Sequence, residues 1–231
     1  MRYDRLKAEV RDANLAIVEH GLVDLTWGNV SAADEDVMAI KPSGVSYDTL
    51  QPNDIVVLSI DTGQVIEGRL RPSSDTPTHL HLYRSFSGIG AVVHTHSRHA
   101  VCWAQAEREI ACMGTTHADH FYGTIPVTRR LRHDEIADDY ERNTGVVIAE
   151  CFIEAGLNPA EIPAVLVAGH GPFAWGPDAK AAVENAVVLE AVAHMALQTL
   201  LLNPEAGSIQ GELLDKHFLR KHGSAAYYGQ K

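Results

Sequence analysis

The sequence predicts a soluble α/β fold in one domain, and three observations carry that reading. Short apolar runs of strand length, such as Val37-Met38-Ala39-Ile40 and Ala91-Val92-Val93, are interleaved with segments of helical period, such as Leu6 to His20 and Pro177 to Leu202. Across 231 residues no Pro/Gly/Ser-rich linker, charge block, repeat or low-complexity tract divides the chain, which is long enough to bury one sizeable core, so a single domain is expected over 1–231. The hydrophobic fraction of 45% and charged fraction of 21% are ordinary for a globular protein.

The elements follow in order. Leu6, Val10, Ala13, Leu15, Ala16 and Val18 recur at roughly helical spacing until Gly21, giving an amphipathic opening helix. Leu25 to Ser31 reads as a loop entering a strand, Ala33 to Asp36 as a turn, and Val37 to Ile40 as the return strand, which leads into Lys41-Pro42-Ser43-Gly44. Ile55 to Ile60 and Gln64 to Ile66, joined by Asp61-Thr62-Gly63, form a strong hairpin signal. Thr76 as N-cap and Pro77 in the first turn start a helix over 77–86. A strand over 89–95, a helix from Arg98 to Ala106, a polar loop from Gly114 to His120 and a short strand at Pro126-Val127-Thr128 come next. Asp134 to Gly156 reads as one helix closed by its glycine, followed by an apolar strand at Val165-Leu166-Val167 and an extended Phe173 to Gly176. The helix from Pro177 to Leu202 is apolar enough to raise the question of a membrane. Glu184, Glu190, His194 and Gln198 interrupt it at regular intervals and favour a buried or interface helix. A last helix, Ile209 to His222, yields to a tail over 223–231.

A formal net charge of −11 disfavours a general nucleic-acid or anionic-membrane surface, so recognition of an anion must be local. Cys102, Cys112 and Cys151 are odd in number and widely spaced, which suggests neither a disulfide framework nor a thiolate metal site. The first ten residues hold no apolar signal core, and a cytoplasmic location is expected.

The chemistry gathers between Arg71 and His99. Side chains at i and i+2 of a strand share a face, so His94 and His96 project together, roughly 7 Å apart at Cα. A lone His-x-His is commonly two satisfied histidines, but a third imidazole, His170, ends another apolar strand between two glycines. Three imidazoles with an open position suit zinc or a related divalent ion such as manganese or cobalt, with Asp75 as a further oxygen ligand. His79 and His81 are a control, because i and i+2 on a helix diverge by about 200° and should not chelate. Three short loops, Gly28-Asn29, Ser43-Gly44 and Ser73-Ser74, can offer hydroxyls and backbone N–H groups to a phosphate, although each taken singly reads more readily as an ordinary turn and none has the P-loop spacing.

These residues together resemble the class II aldolase and L-ribulose-5-phosphate 4-epimerase family. The likeness spans nearly the whole chain, through Leu25-Thr-Trp-Gly-Asn-Val-Ser31, Ile40-Lys-Pro-Ser-Gly44, Pro72-Ser-Ser-Asp-Thr-Pro-Thr-His79, Val93-His-Thr-His-Ser-Arg-His99, Gly114-Thr-Thr-His-Ala-Asp119, Phe121-Tyr-Gly-Thr-Ile-Pro126, Gly169-His-Gly-Pro-Phe-Ala-Trp-Gly176 and Leu214 to Gly223. The resemblance implies a mainly antiparallel central sheet flanked by helices, and a C4 homotetramer with active sites between subunits. It assigns one divalent metal per subunit to His94, His96 and His170, with Asp75 beside them, and the phosphate to Gly28, Asn29, Ser43, Gly44, Ser73 and Ser74. It makes Asp119 and Tyr228 the acid/base pair, Tyr228 reaching in from the neighbouring chain. The turn at Asp34-Glu35-Asp36 is slightly shorter than in the family, outside every chemical motif.

The epimerase branch is the nearer match, and it implies interconversion of L-ribulose 5-phosphate and D-xylulose 5-phosphate, a step of pentose breakdown of the L-arabinose type. The C4 hydrogen of such a ketose is not acidic, so retro-aldol cleavage of C3–C4 and re-addition, with a divalent ion as Lewis acid, is the expected route. Two acid/base groups are then needed, one for each side of the C4 hydroxyl. Thr115, His117, Glu141, His217 and Arg220 are open to substrate positioning, subunit contact or packing. A fuculose-phosphate-type aldolase is the near rival, disfavoured because its usual Glu is Asp75 here, and an adducin-like binding domain is the distant one, disfavoured by the complete histidine set.

Overall fold

The computed structural model describes residues 3–223 and 226–227. Seven strands, β1 (Gly28–Asp34), β2 (Val37–Ile40), β3 (Val56–Ser59), β4 (Val65–Glu67), β5 (Ala91–Thr95), β6 (Ala164–Val167) and β7 (Gly171–Gly176), form one sheet in the order β4-β3-β2-β1-β5-β7-β6. Every neighbouring pair in it is antiparallel. The helices are α1 (Asp4–Glu19), α2 (Thr76–Ser85), α3 (Arg98–Gln105), α4 (Thr115–Ala118), α5 (His133–Ala137), α6 (Tyr140–Ala155), α7 (Ala179–Leu202) and α8 (Gly211–His222).

Alternation along the central strands divides the core in two. Val30, Ala32, Ala91, Val93 and Ala174 pack with Val10 and Ile17 of α1, Ala100 of α3 and Leu189 of α7. Their neighbours Val92, Phe173 and Trp175 turn to the opposite face and pack with Leu82 of α2 and with Ile148 and Phe152 of α6. Each buried Val, Leu, Ile or Phe among them contributes about 1.5–3 kcal/mol, so a one-residue slip in register, which would exchange the two sets, is strongly disfavoured. By length and hydropathy alone α7 could cross a membrane. Its Ala182, Ala186, Leu189, Val192, Ala193 and Ala196 lie buried in the first core, so it is the cover of the sheet, as its interrupting polar residues indicate.

Four expectations are corrected. The helix expected over Asp134 to Gly156 is broken, because Asp139 takes a left-handed conformation (φ 55°) between α5 and α6. Asn143 Nδ2 secures the break by donating to the carbonyls of Asp138 (2.7 Å) and Glu135 (3.1 Å), the free end of α5. The polar segment 114–120 holds the single helical turn α4. Pro126-Val127-Thr128 is no full strand; it meets β6 through one parallel bridge, Val127 to Leu166. The helix at 76 begins one residue earlier than expected, with Asp75 at its N-cap and Thr76 Oγ1 donating to the Ser73 carbonyl at 2.7 Å.

Candidate metal centre and phosphate pocket

Register places the first candidate ligand. His94 on β5 lies between Asn29 of β1 and Phe173 of β7. Its ring stacks on Phe173 at 4.2 Å between centroids. Its Nδ1–H donates to the Pro172 carbonyl at 3.0 Å, which fixes the tautomer and leaves the Nε2 lone pair free. His96 sits just past the end of β5, and His170 sits in the turn joining β6 to β7. Their rings are 5.0 and 4.8 Å from that of His94, and one ligand atom from each of the three lies within 4.8 Å of the others. Burial, followed by the two neighbouring imidazoles, pushes His170 down to about 3. Burial also lowers His96. Neutral imidazoles with free lone pairs are what a divalent ion requires, so this donor set fits one.

Asp75 stands at the same pocket but outside the three-imidazole group. Its Oδ2 accepts from Asn29 Nδ2 at 2.7 Å. Burial raises its carboxyl, but His94, His79 and the Asn29 hydrogen bond outweigh this and hold it below the usual range, so it stays ionised. The control pair behaves as expected: His79 is buried and shares a 2.7 Å hydrogen bond with Ser31 Oγ, while His81 leaves this pocket for another.

The three short loops do converge. Gly28, Asn29, Ser43, Gly44, Ser73 and Ser74 line one cavity of about 430 Å³ with Asp75 and the three histidines. Two backbone hydrogen bonds tie the loops together, Ser43 N–H to the Arg71 carbonyl and Ser73 N–H to the Lys41 carbonyl, both 3.0 Å. At position 28 a side chain is excluded, since φ is +149° and a Cβ would lie 2.8 Å from the His94 carbonyl oxygen. Asn29 Oδ1 is buried with no hydrogen-bond partner among the described residues, an acceptor that a donor on a bound ligand would satisfy.

Three participants, Lys41, Tyr47 and Tyr140, were missed by sequence reasoning, whereas Glu141 was among its candidates. Lys41 lines the cavity yet is 2% exposed, has no carboxylate partner among the described residues, and is lowered by burial. Its ammonium lies 4.7 Å over the ring of Tyr47, whose hydroxyl donates to the Gly28 carbonyl at 2.7 Å. Tyr140, the first residue of α6, reaches His170 Nδ1 at 3.2 Å, and Glu141 beside it lines the cavity. Only the run Ile40-Lys-Pro-Ser-Gly44 hinted at Lys41.

Asp119 is not among the residues lining this cavity in its own chain. It ends α4 and accepts from His217 Nδ1 and Arg220 Nη2, both at 3.0 Å, on α8. Burial raises its carboxyl, but Arg220, His217 and Lys221 prevail and keep it below its ordinary value. Thr115 is on α4, and His117 turns inward, its Nε2–H donating to the Gly123 carbonyl at 2.7 Å. Tyr228 lies outside the described residues.

The profile of the class II aldolase and adducin N-terminal domain family matches residues 8–197. The chain belongs to the class II aldolase and adducin N-terminal domain family. Within this family, L-ribulose-5-phosphate 4-epimerase UlaF of Salmonella paratyphi B (strain ATCC BAA-1250 / SPB7) is 53% identical over 229 residues, 98% of this chain and 99% of the relative. The Salmonella typhi protein of the same name has the same identity and coverage. Among solved structures, an L-fuculose 1-phosphate aldolase superposes with a TM-score of 0.77 at 25% identity, covering 92% of this chain and 94% of its own. YgbL of Escherichia coli, described as a putative aldolase/epimerase/decarboxylase, shares the class II aldolase fold with a TM-score of 0.73 at 22% identity, covering 94% and 99%.

Proposed function

We propose that this class II aldolase family member is an L-ribulose-5-phosphate 4-epimerase, interconverting L-ribulose 5-phosphate and D-xylulose 5-phosphate. The observation that carries the reading is the end-to-end, 53% likeness to epimerase UlaF. The cavity supports it, because a three-imidazole group and a set of phosphate-sized polar loops open into one space.

His94, His96 and His170 would hold one divalent ion, most simply zinc, with Asp75 beside it. Bound there, the ion supplies the Lewis acidity that cleavage and re-formation of C3–C4 require. Lys41, Asn29 and the loops at Ser43-Gly44 and Ser73-Ser74 anchor the phosphate. That anchor retains the two-carbon aldehyde fragment while its carbonyl face turns, which is what inverts C4. Asp119 and Tyr228 give and take the C4 hydroxyl proton on opposite sides. Asp119, outside its own chain's cavity, favours a site completed between subunits of a C4 tetramer, with Tyr228 from the neighbour. We place the enzyme in the cytoplasm.

The test is conversion of L-ribulose 5-phosphate to D-xylulose 5-phosphate by metal-loaded protein, with His96→Ala alongside. Conversion lost in the variant supports the proposal. A folded, metal-loaded protein that converts none, but releases dihydroxyacetone phosphate from a ketose 1-phosphate, makes it an aldolase instead.

A further inference from the structure

Ser73 and Ser74 line two cavities. One holds the imidazoles; the other, about 520 Å³, shares these two serines with it. Its rim carries Arg71, Arg84, Arg142 and His81, and none of its lining residues is acidic, in a chain of net charge −11.

These cations are brought together by the fold. Gly145 of α6 lies against α2 so closely that a Cβ there would be 2.7 Å from His81 Cβ and 3.1 Å from the Thr78 carbonyl oxygen. This approach carries Arg142 onto the flank of His81, whose proton affinity is lowered by burial and then by Arg142 and Arg84. Arg84 is fixed from below, donating from Nε to the Ile60 carbonyl (2.7 Å) and from Nη2 to the Asp61 carbonyl (3.0 Å). Among the described residues no carboxylate forms an ion pair with Arg71, Arg84 or Arg142, although surface arginines elsewhere in the chain, such as Arg98, Arg129 and Arg130, have one. Guanidinium groups repel one another, and a phosphate dianion is the ligand their planar donors match best.

We propose that this groove is a capture subsite for the phosphate dianion of the sugar phosphate, which it hands across the Ser73-Ser74 loop to the catalytic cavity. The inference rests on the epimerase reading for the identity of the sugar, but not for the anion chemistry. Focusing of opposite charge at a cleft raises encounter rates about 10-fold or more at low salt, and the effect fades as the Debye length shrinks.

Two measurements on metal-loaded protein test it, comparing wild type with Arg142→Gln and with the Arg71→Gln/Arg142→Gln double variant, each matched to wild type by thermal melt. In steady-state assays the double variant is expected to lose about 3- to 10-fold in kcat/KM at low ionic strength with kcat unchanged and a flatter salt dependence. In calorimetric titration with inorganic phosphate, wild type is expected to show a second binding event that the double variant lacks. An unchanged kcat/KM and salt slope, or an unchanged phosphate stoichiometry, overturns the capture subsite while leaving the epimerase standing. Absence of epimerase activity fails the functional reading alone, and the phosphate titration then decides the subsite.

Discussion

His94 has almost no freedom left by the time it meets a ligand: Phe173 holds its ring plane and the Pro172 carbonyl holds its proton. His96, at the strand end, has no such support, so His96→Ala should remove bound metal and activity while leaving circular dichroism unchanged, with metal content read by mass spectrometry. Lys41 is the opposite case, a cation taken out of water with no carboxylate partner among the described residues. Lys41→Met should raise KM for the sugar phosphate about 10- to 100-fold, the equivalent of one charged hydrogen bond, with metal content intact. The histidine ligands were legible because spacing and flanking glycines alone bring out His94, His96 and His170. Lys41 and Tyr47 were not, because their burial exists only once the loops at 41–44 and 71–74 have been tied together. His117 reads as open between positioning and packing, and its bond to Gly123 supports packing. Burial lowers it to about 4, the Gly123 hydrogen bond opposing only in part. Its folded-state affinity for protons is thus below that of the unfolded chain, and the stability present above about pH 6.5 is lost as pH falls toward 4, by about 3 kcal/mol for this residue. Urea midpoints of wild type should therefore fall between pH 7 and pH 5, and those of His117→Gln should fall less.

Between α5 and α6 the backbone reverses at Asp139, and this break is what sets Tyr140 and Glu141 at the mouth of the cavity rather than midway along a helix. No periodicity signal marks it, since apolar residues continue on either side; the capping by Asn143 is a contact across the break and invisible to a helical pattern. The sheet elements were easier to read, because β5 and β6 are short, apolar and buried on both faces. At α7 the start is set by Asp178, whose carboxylate accepts from the Ala181 N–H at 2.8 Å. Asp178→Ala should cost about 1 kcal/mol, seen as a Tm lower by about 2–4 °C, without altering KM. Gly28→Ala should be harsher, because the added carbon meets the His94 backbone itself and would move a ligand strand.

For the protein as a whole, patterning marked the strands and helices and the family resemblance implied the mainly antiparallel sheet, while the strand order and the meeting of residues 28, 43, 73, 94 and 170 in one cavity depend on pairings far apart in sequence, which no local signal carries. A site divided between subunits makes its own prediction. Co-expressed His96→Ala and Tyr228→Phe chains, each inactive alone, should regain activity as mixed oligomers, because some sites then combine an intact metal centre from one chain with an intact tyrosine from another. Two inactive parents giving only inactive mixtures would place the whole site in one chain. Under the proposed function, Lys41 would also couple ligand supply to stability, because a sugar phosphate would bring negative charge to an ammonium that is 2% exposed and has no carboxylate partner among the described residues, and would do so only in the folded chain. At a hundredfold excess over its Kd such a ligand adds about 2.7 kcal/mol of stability, enough to slow proteolysis of the opened chain roughly a hundredfold. Protease digestion of the protein with and without saturating sugar phosphate checks this, and equal digestion rates would refute it.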